Sequence, residues 1–332
     1  MGTLNLAALS SLRDNTGMIT VERLDKCGIS RRLRQHLVTI GALIPVHRGV
    51  YRIASQPLTL EARCAALSLF LPDGYVTGPT GGKLFVLRRM PTVMTAPPKR
   101  STETPKAKKE SPVEIIHYAV PHGSRISIPG VKIRQTTIIE PTDLFDRGDG
   151  IRLASPWRLA FDLGVDLESL DHDSVIEQIL AMKLCTMVTL VETARRLVHP
   201  SRPGSREFVR ALTSRVPGGP LESHAEVMVA KALRDRGIPI VAQTTWLTLP
   251  SGRRIRLDLS VPGVRWGVEV DLHPDHFLQF GTADRRRDRQ CHQIGWHVDH
   301  VTAIDMLDFD GIINELVDNY HARVDELAGR PA

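Results

Sequence analysis

Residues 254–272 read RIRLDLSVPGVRWGVEVDL, and the parsing of this stretch decides the fold of the C-terminal third of the chain. Ile255, Leu257, Leu259 and Val261 alternate with Arg256, Asp258 and Ser260, the period of a strand with one apolar face. Pro262 and Gly263 then turn the chain, and Trp266, Val268, Val270 and Leu272 alternate with Gly267, Glu269 and Asp271. If the two runs pair as a hairpin, Asp258 meets Glu269 at the ~5 Å of facing side chains. Asp271 shares the face of Glu269. Carboxylates so placed suit a hard divalent cation, which chooses oxygen ligands and can activate water for attack on phosphorus. Acidic residues on a sheet are more commonly a solvated face, so the flanking sequence has to separate the two readings.

Upstream, Gly219-Pro220-Leu221-Glu222-Ser223 leads into a helical pattern closed by Gly237-Ile238-Pro239, and IVAQTTWLTL (240–249) is expected to be the first strand of the sheet. Downstream, His276 stands five residues after Asp271, and an arginine-rich helix, DRRRDRQCHQIG, runs into Trp296-His297-Val298. WHVDHVT is expected to return to the sheet, with the helix FDGIINELVDNY packed on it. As an ordered set these pieces resemble the PD-(D/E)XK nucleases over about residues 216–310. The closer likeness is to actinobacterial proteins similar to very-short-patch-repair endonucleases, which carry Glu-Val-Asp in place of Glu-x-Lys.

That resemblance implies that Asp258 and Glu269 ligate Mg²⁺ or Mn²⁺, that Glu222 reaches the same site from its helix, and that Asp271 takes the lysine slot. His276 becomes a candidate acid or base, because imidazole titrates near neutrality. Glu226, one turn after Glu222, rivals it as the helix ligand. Two departures bear on activity: Leu272 stands where Gly commonly follows, and the missing Lys removes the usual charge that orients the attacking water. Arg285, Arg286, Arg287 and Arg289 are candidate phosphate clamps beside the site, though Asp284 and Asp288 are equally well spaced to pair with these arginines.

The N-terminal segment follows another plan. Leu4, Leu6, Leu9 and Leu12 suggest a first helix, Thr20 caps a second, and Ser30 caps a third with Leu33, Leu37 and Ile40 inward. Strands ALIPV and GVYRI follow, joined at His47-Arg48-Gly49. Three short helices and a hairpin make a winged helix-turn-helix, whose third helix enters the major groove. Arg31, Arg32, Arg34 and His36 would then face DNA, with His47, Arg48 and Arg52 on the wing. A helical bundle with a basic solvent face fits the same pattern. ISRRLRQHL and PVHRGVYRI resemble the N-terminal domain of AbiEi-type antitoxins, which implies a transcriptional-regulator module over about residues 8–55.

Between the ends the sequence is less informative. A helix around residues 59–71 is expected to pack under the wing, and PTGGKLFVL lacks the spacing of a phosphate loop. Residues 91–112 are rich in Pro, Thr, Ser and Lys and read as a mobile loop. Short strands follow, in which His117 and His122 are assigned structural or exposed roles, and then helices with no visible chemistry that set the spacing of the two ends. A homodimer contact there is compatible with the sequence.

A chain of 332 residues exceeds one typical domain. The expected architecture is multi-domain α/β: a winged helix at 1–55, a mixed α/β linking region at 56–215, and a PD-(D/E)XK-type mixed sheet flanked by helices at 216–332. A formal charge of +6 fits a polyanionic partner without requiring one. Cys27, Cys64, Cys185 and Cys291 form no CxxC pair, which argues against a zinc site or a disulfide scaffold. The N-terminal residues lack the pattern of a signal peptide, and no apolar run reaches the roughly 18 residues of a membrane span, so a cytoplasmic protein is expected. The expected function is DNA binding with a metal-dependent endonuclease activity in repair or defence. The alternative is a catalytically inactive regulator or antitoxin-like DNA binder, with a toxin or repair partner left open.

Overall fold

The computed structural model describes residues 16–95, 112–272 and 281–329. The chain is mixed α/β and forms two compact units, Met1–Asp166 with Glu192–Ser205, and Leu167–Val191 with Arg206–Ala332. No helix among the described residues is long and apolar enough to cross a membrane.

The first unit opens with a three-stranded antiparallel sheet of order β1-β3-β2, formed by β1 (Met18–Thr20), β2 (Leu43–His47) and β3 (Val50–Ile53). Helices α1 (Val21–Lys26) and α2 (Arg31–Thr39) lie between β1 and β2 in sequence. Thr20 and Ser30 cap them, each hydroxyl accepting from the backbone N–H three residues on, at 3.3 Å and 3.4 Å. Ile19, Leu24, Ile29, Leu37, Leu43 and Ile53 close one small core. Ile40 departs from expectation: α2 stops at Thr39, and the turn through Gly41 at φ +75° leaves Ile40 60% exposed. The N-terminal helix expected from Leu4 to Leu12 lies outside the described residues, as does most of the expected loop at 91–112.

Thr59 caps α3 (Leu60–Phe70), whose alanine-rich face is buried against Met18 and Val50 on one side and Val76, Ile116, Tyr118 and Leu153 on the other. The latter residues belong to a mixed five-stranded sheet of order β6-β5-β4-β8-β7. Its strands are β4 (Tyr75–Val76), β5 (Ile116–Pro121), β6 (Val131–Thr136), β7 (Leu144–Asp146) and β8 (Arg152–Ala154). Helix α4 (Gly78–Leu84) packs against this sheet together with α5 (Pro156–Leu163). Arg158 of α5 is 2% exposed yet fully engaged. It donates to Asp162 at 3.1 Å, Asp143 at 3.2 Å, the Ile138 carbonyl at 2.8 Å and Thr136 at 3.0 Å. Arg196 reinforces Asp143 from α7 (Met187–Leu197), and Thr77 and Tyr75 both donate to Asp162. His117 is buried, and burial pushes its pKa down to about 4.

The second unit contains α6 (Ser169–Ala181), α8 (Ser205–Thr213) for all but its first residue, α9 (His224–Asp235), α10 (Gly281–Gln293) and α11 (Phe309–Ala328). Its sheet has the order β14-β13-β12-β9, from β9 (Val241–Ala242), β12 (Leu259–Val261), β13 (Trp266–Asp271) and β14 (His297–Thr302). β13 is antiparallel to β12 and parallel to β14. Trp266, Val268, Leu259 and Val301 pack with Val229 and Leu233 of α9 and with Ile313 and Leu316 of α11. On the opposite face Leu247, Leu249, Ile255, Leu257 and Cys291 form a separate cluster. Gly267 lets Leu257 pack close there: a Cβ would come within 2.6 Å of Leu257 Cδ1, so that side chain would have to shift.

The two arms expected as continuous strands are both broken. IVAQTTWLTL yields β9 and a separate β10 (Trp246–Thr248), and RIRLDLSV yields β11 (Arg254–Arg256) and β12. β10 and β11 form their own antiparallel ribbon, while β9 and β12 stay in the main sheet. The breaks lie side by side, with Gln243 N–H donating to the Asp258 carbonyl at 2.9 Å and Leu257 N–H to the Thr245 carbonyl at 3.0 Å. Gln243 sits at φ +53°, a conformation that alternation of side chains does not reveal.

Candidate functional site

The break in the long hairpin is where the acidic residues gather. The pair Leu259↔Val268 is the last in the β12–β13 ladder, so Asp258 continues the register toward Glu269. Asp258 accepts from the Val270 N–H at 3.0 Å and from the Gln243 side-chain amide at 3.1 Å. The same amide nitrogen donates to Glu226 at 3.0 Å, so Gln243 bridges two carboxylates. Glu226 is held by its place in the first turn of α9. Ser223 Oγ accepts from its N–H at 3.1 Å, and its carboxylate accepts from the Glu222 N–H at 3.0 Å, a variant of the capping box. Glu269 pairs with Arg287 of α10.

Satisfaction is incomplete in this cluster. Among the described residues, Gln243 Oε1 and Glu269 Oε1 are buried without a hydrogen-bond partner. Burial raises the pKa of Asp258, against the pull of the Val270 and Gln243 donors, and the charge of Glu222 adds to the rise. Burial also raises the pKa of Glu226, opposed by its bond to the Glu222 N–H and reinforced by the charge of Asp258. Arg287 moves the other way, burial lowering its pKa. The centre therefore gathers more negative charge and oxygen than its donors neutralise. Oxygen atoms without partners beside two desolvated carboxylates are the donor chemistry a hard divalent cation takes. Among the described residues, however, no three His, Cys, Asp or Glu side chains are arranged to hold a metal ion.

The expected site residues divide. Asp258 stands one residue beyond the last ladder pair, in register toward Glu269, and the helix carboxylate that shares its Gln243 donor is Glu226, 5% exposed. The Glu222 side chain is 59% exposed and pairs with Arg256 at 2.6 Å. Helical position explains the difference: Glu226 at the third position of α9 folds back over the helix start, whereas Glu222 precedes the cap and points to solvent. Asp271 ends β13 and is half-buried on the strand face of Glu269. His276 lies outside the described residues, as does the side chain of Arg285. Arg286 and Arg289 are exposed on α10, while Asp288 turns to His300 at 2.9 Å. Gln243 was not foreseen, since an amide in an alternating run gives no sign that its backbone is left-handed.

In the first unit Arg31, Arg32 and His36 are exposed on α2 and Arg48 is exposed at the β2–β3 turn. Arg34 is turned inward, paired with Asp25 and donating to the Ile29 carbonyl at 3.0 Å. Arg52 is bonded to the Gln56 carbonyl, and His47 stacks on Phe70 with centroids 5.1 Å apart. Arg34 and Arg52 are thus engaged within the protein. No protein-family model matches the chain, and no curated protein matches it.

Proposed function

We propose that the chain is a DNA-binding protein whose second unit is a PD-(D/E)XK-type phosphodiesterase centre using Mg²⁺ or Mn²⁺. The observation that supports this reading is the buried oxygen cluster of Glu226, Gln243, Asp258 and Glu269, in which two oxygens lack partners and two carboxylates are desolvated. Asp258 and Glu269 would hold the cation, with Glu226 as the helix acid in place of Glu222. The cation would supply activation of water and stabilisation of charge on the phosphorane. Gln243 is a positioning residue that fixes Asp258 and Glu226 relative to each other by donating to both. Arg287, paired with Glu269, brings to the site the positive charge that Asp271 in the lysine slot cannot. The first unit would read DNA as a winged helix-turn-helix, with Arg31, Arg32 and His36 at the groove and Arg48 on the wing.

A second reading, a regulator or antitoxin-like binder without catalysis, is favoured by the Arg287–Glu269 pair, which already neutralises one of the two ligands. Nicking of supercoiled plasmid separates the two. The expected outcome is nicking with Mg²⁺ or Mn²⁺ that disappears in EDTA, in Asp258→Asn and in Glu269→Gln. A native chain that retards DNA in a gel but leaves plasmid, mismatched and branched substrates intact would establish the non-catalytic binder.

A further inference from the structure

The β10–β11 ribbon leaves the sheet at Gln243 and Asp258 and exposes one face. Leu247 and Ile255 turn inward to the apolar cluster, while Trp246, Thr248, Arg254 and Arg256 turn outward. Trp246 is 53% exposed, a large apolar surface that no core residue of the ribbon requires there. It lies directly across the ladder from Arg256. The guanidinium carbons of Arg254 and Arg256 stand 5.0 Å and 5.9 Å from its ring centroid, within cation–π range. Arg253, at the start of the return strand, is also exposed.

We infer that this ribbon is a stacking platform for a DNA segment with unpaired bases, the exposed Trp246 indole taking a base while Arg253 and Arg254 attract the flanking phosphates. The inference rests on the DNA-binding reading above and names the form of DNA that the second unit takes. The chemistry favours a nucleic acid over an acidic peptide, because a peptide carboxylate would use the arginines and leave the indole idle. It favours unpaired over paired bases, since a base in a duplex already has both faces covered by its neighbours. Position adds to the case. One residue, Leu257, separates Arg256 from Asp258, and Arg256 pairs with Glu222 at 2.6 Å, so a strand on the ribbon would run past the acidic cluster.

The test is fluorescence anisotropy of the full-length chain in EDTA, where cleavage plays no part. The probes are an oligothymidylate of about twenty nucleotides and an abasic oligomer of the same length, long enough to span the site of a stacking module. The native chain should bind the thymidylate about tenfold more tightly than the abasic strand, the increment of one stacked base. Trp246→Ala should abolish that discrimination and Trp246→Phe should keep it. Arg253→Ala should weaken both oligomers alike and make the salt dependence shallower by about one unit of slope. Circular dichroism checks that each variant is folded. Discrimination that survives in folded Trp246→Ala, or is absent from the native chain while both oligomers bind, would overturn the platform and leave the DNA-binding reading standing. A native chain that binds neither oligomer nor plasmid would remove both.

Discussion

Each unit buries a cluster of charge, and the two clusters are built on opposite principles. Around Arg158, every charged group is answered: Asp143 and Asp162 meet the guanidinium, Arg196 closes on Asp143, and a carbonyl and a hydroxyl take the remaining donors. Around Asp258, acids outnumber cations, one amide serves two carboxylates, and two oxygens are left without partners. A satisfied network in a low-dielectric interior fixes one arrangement of the chain. An unsatisfied one stores a demand for a ligand, which is why perturbed acids cluster at functional sites. The comparison teaches that burial of charge by itself identifies neither function nor architecture.

Removing Arg158 should have the largest effect. Arg158→Met leaves Asp143 and Asp162 buried against reduced compensation and should cost about 3–5 kcal/mol in urea unfolding. Glu226→Gln, which removes a desolvated charge from the other cluster, should stay within about 1 kcal/mol of native or stabilise the protein. Equal losses in the two variants would break the comparison.

Divalent cation should come next. Mg²⁺ or Mn²⁺ at about a hundred times its dissociation constant should stabilise the native chain by about 2.7 kcal/mol in thermal unfolding. Asp258→Asn and Glu269→Gln should lose that increment, while Arg158→Met should keep it at its lower baseline. An undiminished cation effect in both acid variants would move the cation elsewhere.

The pH dependence sharpens the contrast further. The folded-state pKa values of Glu226 and Asp258 lie above the ordinary 4.5 and 3.8, so the native state binds their protons more tightly than the unfolded state. Their favourable contribution is therefore fully present below those ordinary values and lost as pH rises through the raised ones. Stability of the native chain should show this falling component across that window. In Glu226→Gln the component should shrink, and an unchanged profile would deny that Glu226 is the desolvated acid.

The smallest effect separates surface from interior among the N-terminal arginines. Arg31→Ala and Arg32→Ala should weaken DNA binding in a gel shift with no loss of stability. Arg34→Ala should cost stability, on the order of 1 kcal/mol given the exposure of Asp25, because Arg34 is held by Asp25 and the Ile29 carbonyl.

Much of the local structure was legible. The caps at Thr20 and Ser30, the alternation in WGVEVDL and the helix before Gly237 are written in nearest-neighbour chemistry and appear where expected, whereas the caps at Thr59 and Ser223 emerge only in the structure. The register that sets Asp258 toward Glu269 was legible too, since a hairpin with a short turn fixes its own register. The helix acid was not: Glu222 and Glu226 share a helical face on paper, and only the position of the cap sends one inward and the other to Arg256. Arg34 was misread for a similar reason, since the amphipathic pattern places it outward but Asp25 on the preceding helix draws it back.

Periodicity, capping and turn chemistry, which act within a few residues, are enough to set the mixed α/β character, the strand register that points Asp258 toward Glu269, and the basic faces at both ends. The tertiary structure alone decided that both hairpin arms break at Gln243 and Asp258, and that Gln243 enters the acidic cluster. It also decided that the ribbon turns Trp246 to solvent and that Arg158 is a buried, fully bonded cation. Those outcomes depend on which distant surfaces share the same space: Leu257 packs beside Gly267, and Leu247 and Ile255 of the ribbon join the apolar cluster around Cys291. Contacts between residues far apart in the chain leave no periodic trace in it.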